Sequence, residues 1–255
     1  MRNEAFEALE KYLSQTNKTG IHYYGSGAGA RHFADIFSDG VCHLGDAPDL
    51  LLKKDNSAII VEHFEYDSYS AGKKGSQCRR ELARIHQKNN SANASKKEIC
   101  FSDAINGNAS FQNLISNLCN SFRTHYQRIS QYKENLRSKG LIDASAQVKT
   151  MFLLEDTSPL GSFVIDRNNE GSQIHPIIVL LHKEFLDLFS ASGDLDYILA
   201  CSSSGNENYV WFADRNEIAD YYQHMISYGK MIFPEFNVQT TGFQMKVLQD
   251  DFGVL

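Results

Sequence analysis

Residues 48 to 67 read PDLLLKKDNSAIIVEHFEYD, an apolar run, a polar turn and a second apolar run that ends in charge. Leu50 to Lys54 and Ala58 to Tyr66 are predicted strands, and Asp55-Asn56-Ser57 supplies the turn chemistry that joins them as a hairpin. A strand that begins Ala-Ile-Ile-Val gains nothing by carrying Glu62 and His63 unless those groups find partners, because burying an unpaired carboxylate is costly. Side chains alternate along a strand, so Glu62 and Phe64 share one face while His63 and Glu65 share the other. Folding the hairpin back brings Asp49, at the start of the first strand, beside Glu62. Two carboxylates converging at one sheet end repel each other unless something positive lies between them. A divalent cation answers that need, and hard oxygen ligands suit Mg²⁺ or Mn²⁺.

Outward from the hairpin, the chain alternates helix and strand patterns. Residues 3 to 15 place Phe6, Leu9, Tyr12 and Leu13 on one helical stripe. The segment HYYGSGAGARHF that follows is glycine-rich but lacks the Gly-Lys-Ser/Thr of a phosphate loop, and is expected to be a tight turn or a mobile loop. Gly72 to Gly75 break the chain after the hairpin, with a helix expected from Gln77 to Lys88 behind a Ser76 cap. Beyond a short strand candidate at Ile99 to Phe101, apolar residues from Phe111 to Leu136 keep helical spacing. They predict one long helix over 110–138, roughly 40 Å at 1.5 Å per residue. Val148 to Leu154, Ile177 to Leu181, Tyr197 to Ala200 and Tyr209 to Phe212 are strand candidates, and Asp214 to Tyr228 a helix. The order predicts a mixed α/β domain built on a central sheet.

Composition bounds the function classes. The 255 residues are 42% apolar, enough for a sizeable core, and the five cysteines are scattered without a CxxC pair, so free thiols and no structural zinc are expected. No stretch approaches the roughly 18 to 20 apolar residues that span a bilayer, and the first residues carry acids where a signal peptide would be apolar. A cytoplasmic protein without membrane contact is expected. The net charge of −6 conceals an asymmetry: Lys73 to Lys139 hold thirteen Lys and Arg against four acids, a net of +9, which leaves −15 for the rest. A basic region in an acidic protein can bind a polyanion locally, or can be no more than solvated helix faces.

A helix followed by Pro48-Asp49 and then Glu62-His63-Phe64 resembles the PD-(D/E)xK nuclease superfamily, whose restriction-endonuclease-like fold opens with a helix and a three-strand meander carrying the site. The resemblance covers residues 1 to 90 directly. It implies a restriction-endonuclease-like α/β fold, a central mixed sheet flanked by helices, in a single domain over 1–255 with a long-helix insertion at 103–140. It also implies a metal-dependent nuclease acting on DNA, with Asp49 and Glu62 catalytic and holding Mg²⁺ or Mn²⁺. The motif's lysine, which orients and activates the attacking water, is expected at position 64, where this chain has Phe64. Lys74 is the expected replacement, since Gly72 and Gly75 let its loop fold back, with Lys73 and Lys53 as further candidates. Lys73, Arg79, Arg80, Arg84 and Lys88 are expected to form a positive rim for nucleic acid.

Structural roles stand beside each of these. Asp49 can cap a turn after Pro48, Glu62 can pair with Arg79 or Arg80, and His63 is expected in a buried polar role on the opposite face. Glu65 and Asp67 are expected to be solvated, and Glu155-Asp156 forms a second acidic candidate at a strand end. A catalytically inactive relative that binds nucleic acid or protein is the alternative function. A third is an interaction protein in which helix 110–138 docks a partner; the same helix is a candidate homodimer interface.

Overall fold

A computed structural model of the chain describes residues 3–14, 21–45, 47–69, 71–72, 75–76, 84, 87, 98–158, 163–168, 171–176, 179–204, 207–227 and 237–248. Cα packing divides the chain into two compact units, Met1–Tyr66 with Leu118–Pro234 and Asp67–Asn117 with Glu235–Leu255.

The first unit opens with helix α1 (Glu4–Ser14), whose start is capped by Asn3: its side-chain oxygen accepts the Phe6 N–H at 3.0 Å. Strand β1 (Ile21–Tyr24), helix α2 (Ala28–Asp39) and strands β2 (Val41–Leu44), β3 (Leu50–Lys54) and β4 (Ser57–Tyr66) follow. The β3–β4 hairpin forms, but its turn is Asp55-Asn56 alone, with Asp55 in the left-handed region at φ 52°: Ser57, expected in the turn, pairs with Lys54 in the ladder. Strands β2, β3 and β4 run as an antiparallel meander.

In the second unit, β5 (Ala71–Gly72) and β6 (Gly75–Ser76) form a small hairpin, and β7 (Glu98–Ser110) pairs antiparallel with a late strand, Asn237–Leu248. Helix α3 (Phe111–Tyr126) crosses the boundary between the units, and α4 (Ile129–Ser138) follows it in the first. Asp67, expected to be solvated, is instead buried in the second unit, where its carboxylate accepts the Tyr69 N–H at 2.9 Å. A short polar side chain that satisfies its own backbone two residues on needs no water. Glu65, in the first unit, is half-buried.

Strand β8 (Gln147–Asp156) returns to the sheet beside β4, followed by the hairpin β9 (Phe163–Asn168) and β10 (Gly171–Pro176), helix α5 (Lys183–Ser190), strands β11 (Tyr197–Ser204) and β12 (Glu207–Asp214), and helix α6 (Arg215–Ser227). The late strand of the second unit, Asn237–Leu248, is β13. The main sheet has seven strands in the order β1-β12-β11-β8-β4-β3-β2. Its β4–β8, β8–β11 and β1–β12 contacts are parallel and the rest antiparallel, so the fold is α/β with a mixed sheet.

Both faces of the sheet are covered. On one, Leu9 and Tyr12 of α1 and Phe33 and Ile36 of α2 pack with Leu50, Leu52, Ile59, Val61, Met151 and Leu153. On the other, Tyr132 and Leu136 of α4 close over Leu51, Ala58 and Ile60, and Phe122 of α3 meets Phe152 and Phe185 edge-on at centroid distances of 5.2 and 5.5 Å. Strands β4 and β8, apolar on both sides, are the buried centre that a parallel pair requires.

Three sequence expectations change here. The long helix over 110–138 is two helices: Arg128 N–H bonds the His125 carbonyl at 3.0 Å, three residues back, and the bond from Gln127 to Arg123 lengthens to 3.4 Å. One tight turn adds no residue to the apolar stripe, which continues through Ile129 and Tyr132, so spacing alone could not reveal the break. The glycine-rich segment is ordered as β1, a turn and α2. Gly27 takes φ 72° at the helix start, and a Cβ on Gly29 would meet Tyr197, Phe212 and Asp214 at 2.9 to 3.1 Å, so glycine permits the helix to lie close on the sheet. Val179–Leu181, inside an expected strand, is a single 3-10 turn leading into α5. The expected helix over 77–88 and its basic residues Arg79, Arg80 and Lys88 lie outside the described residues; Arg84 and Gln87 are helical. Among the described residues no helix is long and apolar enough to cross a membrane.

Phe122 is fully buried among three aromatic rings. Phe122→Ala is expected to destabilise the protein by about 3–5 kcal/mol, read as a lower urea midpoint with the denaturant slope unchanged.

Candidate functional site

The register of the hairpin positions the acidic pair. Leu50 pairs with Val61, so Asp49, one step beyond, stands across from Glu62. Asp49 is fixed twice more: its carbonyl accepts the Gly45 N–H at 3.0 Å and the Asn3 side-chain amide at 3.1 Å, and its Oδ2 accepts the His63 N–H at 2.7 Å. Oδ1 makes no hydrogen bond among the described residues. Burial raises the Asp49 carboxyl above its ordinary value, the His63 N–H pulls it back, and the neighbouring Glu62 charge raises it again.

Glu62 is only 4% exposed. Its Oε1 accepts the Tyr132 hydroxyl at 2.8 Å and lies 2.8 Å from His125 Nδ1, which carries the hydrogen when the carboxylate is ionised. Its Oε2 is buried with no hydrogen-bond partner among the described residues. The sequence offered Arg79 or Arg80 as partners for Glu62; the partners found are His125 and Tyr132, one from each helix flanking the break. Phe64 occupies the next position on the same face and stacks on the His125 ring, centroids 4.7 Å apart and planes 18° apart. Burial, then the bond to Glu62, pushes the Tyr132 hydroxyl up to about 12.

Asp49, Glu62, His63, His125, Arg128, Gln131, Tyr132, Asn135 and Ala47 line one cavity of about 390 Å³. Its wall is polar, with two acids on the strand side and an arginine and two amides on the helix side. Among the described residues no three His, Cys, Asp or Glu side chains form a group that could hold a metal ion. Two carboxylates still fit Mg²⁺, which takes one or two from a protein and completes its shell with waters and substrate phosphate. Glu62 Oε2, buried and unpaired, is the atom such a cation would satisfy.

His63 falls on the opposite face, as strand alternation requires. Its Nε2 lies 3.3 Å from Glu155 Oε2, at ion-pair distance without the alignment of a hydrogen bond. Glu155 Oε1 accepts Lys11 Nζ and the Tyr12 hydroxyl, each at 2.9 Å. Burial raises the Glu155 carboxyl, but His63, Lys11 and Tyr12 together bring it down to about 2. The second acidic candidate is thus a buried ion-pair network, and Asp156 is buried with its carboxylate accepting the Ser158 N–H at 2.9 Å.

The remaining sequence candidates divide. Lys53 lies four residues along β3 from Asp49, about 13 Å at strand rise, and does not line the cavity. Lys73 and Lys74, like Arg79, Arg80 and Lys88, lie outside the described residues, and Arg84 is exposed on its helix. The glycine-rich turn has its donors taken, since the Ser26 N–H and hydroxyl bond the Glu217 carboxylate at 2.7 and 2.6 Å. Sequence reasoning missed His125, Arg128, Gln131 and Asn135, and read Tyr132 as core. The available signal was spacing: 125, 128, 132 and 135 recur at three and four along one helical face.

No protein-family model, curated protein or solved structure matches the chain.

Because the folded-state carboxyl of Glu155 lies below its ordinary value of 4.5, its contribution to stability is complete above that pH and disappears as pH falls toward about 2. Glu155→Gln is expected to cost about 1–3 kcal/mol at pH 7. Urea unfolding at successive pH values should show the gap to wild type closing across that interval.

Proposed function

We propose that the protein is a metal-dependent nuclease that hydrolyses phosphodiester bonds, with DNA as its substrate, built on a restriction-endonuclease-like core. The observation that carries this reading is a buried carboxylate oxygen without a hydrogen-bond partner among the described residues, Glu62 Oε2, on a residue that lines one cavity with Asp49. The antiparallel meander β2–β3–β4 behind a first helix, and the parallel pairing of β4 with β8, support the fold assignment.

Asp49 and Glu62 would hold Mg²⁺ or Mn²⁺, and the bound ion would polarise the phosphate and lower the pKa of a coordinated water. The chain's own groups prepare the site. The His63 N–H and the anchored Asp49 carbonyl fix one carboxylate, and His125 and Tyr132 fix the other through its Oε1, so that Oε2 would be the oxygen left for a cation. In the hydrolysis the water oxygen bonds to phosphorus and the P–O bond to one sugar breaks. The departing sugar oxygen takes a proton, and the products are a phosphomonoester and a hydroxyl. The net +9 of residues 73–139 supports a polyanionic substrate.

A second reading is favoured by Phe64. With an aromatic ring where the superfamily motif has lysine, the protein would be an inactive relative that binds nucleic acid through the same fold.

Incubation with supercoiled plasmid separates the two. Nicking that requires Mg²⁺ or Mn²⁺ is expected, and Asp49→Asn and Glu62→Gln should each slow it by at least about a hundredfold. Plasmid binding without nicking under either metal selects the inactive relative.

A further inference from the structure

Asp49 and Glu62 can hold a cation, but neither supplies a positive donor to the phosphate itself, and position 64 of the strand is Phe64. The ring of Phe64 packs on His125 instead, which sets the end of α3 against the strand that bears Glu62. Three residues after His125 and four before Tyr132, at the break between the helices, comes Arg128, exposed to solvent and part of the cavity wall. Its guanidinium interacts with the Tyr132 hydroxyl, which in turn donates to Glu62. Among the described residues no other Lys or Arg lines the cavity. Lys133, on the helix that follows, is paired with Asp194, and Lys11 and Lys149 belong to the other face of the sheet, paired with Glu155 and Asp196.

We propose that Arg128 grips the nonbridging oxygens of the scissile phosphate above Asp49 and Glu62, so that the helix break provides the cationic donor the strand lacks. The assignment rests on the phosphodiesterase reading and names a catalytic residue within it. Arg128 acts here through hydrogen bonds and transfers no proton. Its planar fork donates N–H bonds to the two nonbridging oxygens, whose charge grows as the water oxygen bonds to phosphorus and the sugar oxygen departs. His125 and Tyr132, one from each helix, meet one carboxylate, and Arg128 stands between them in the chain at the tight turn.

The test uses full-length protein with Arg128→Ala, Arg128→Lys, Lys74→Ala and, as a control away from the cavity wall, Arg137→Ala. Three quantities are read: Mg²⁺-dependent plasmid nicking, Mn²⁺ binding by calorimetry, and the salt dependence of binding to a short DNA oligonucleotide without metal. Arg128→Ala should slow nicking by about a hundredfold or more. It should leave Mn²⁺ affinity unchanged and lower the slope of log affinity against log salt by about 1. Arg128→Lys should recover part of the lost rate and the full salt slope, because the charge returns without the fork. Arg137→Ala should match wild type in all three. If wild type nicks but Arg128→Ala keeps its rate and slope, or if only Lys74→Ala is impaired, the assignment of Arg128 is overturned and the nuclease reading stands. Loss of Mn²⁺ binding in Arg128→Ala also overturns it, since the residue would then be shaping the metal site. Wild-type protein that neither binds the oligonucleotide nor nicks plasmid overturns both.

Discussion

Burying the carboxylate of Glu62 beneath two helices is the constraint around which the rest of this site is arranged. An ionised carboxylate removed from water carries a penalty of several kcal/mol that only well-placed donors offset. Both donors found here, the His125 ring and the Tyr132 hydroxyl, converge on the same oxygen. They stand seven residues apart, about two helical turns, and they straddle a break with no proline or glycine to cause it. The break falls between the two residues that meet Glu62, and Phe64 stacks on the ring of His125 from the strand side. The second oxygen has no donor among the described residues, and the residue that bears it lines a cavity with another acid, Asp49.

The same strand works on both of its faces. Alternation sends Glu62 and Phe64 toward α3 and α4, and His63 toward α1, where Glu155, Lys11 and Tyr12 form a closed polar network. The His63 backbone N–H meanwhile holds Asp49. One residue thus links the acid pair to an ion network on the far side of the sheet, and the first helix reaches the site at its start, where its cap Asn3 holds the Asp49 carbonyl.

The hairpin and the placing of Asp49 beside Glu62 were legible in the sequence because they depend on local chemistry: turn residues, two short strand-like runs, and charge where apolar residues were due; the turn was read one residue too long, because Ser57 suits a turn as well as a strand end. The first helix was legible for the same reason, its apolar stripe and cap being contained within a dozen residues. What escaped was set by distance or by ambiguity of side chain. Tyr132 buries its ring like any core residue and differs only in where its hydroxyl ends, which periodicity does not report. Strand β1 pairs with β12 and β7 with β13 across most of the chain, so no local pattern marked them as partners. The glycines of α2 looked like freedom and serve as clearance, because Gly29 sits against Tyr197 and Phe212. Arg128 was counted only as part of a basic region, since its place at the helix break is a property of the fold.

The turn at Asp55-Asn56 lies at the far end of the hairpin from the acids, yet it alone sets how β3 meets β4. Side chains repeat every two residues along a strand, so one residue added to or removed from that turn would slide β4 by one place and exchange its faces. His63 would then turn toward the helices and Glu62 toward the closed network of Lys11 and Glu155, setting two acids against each other on that side. Length at this turn is thus inherited as strictly as the acids themselves. The residues of the turn can change among those that tolerate the left-handed backbone of Asp55, but their number can alter only with loss of the cavity or with a compensating bulge between the turn and Glu62.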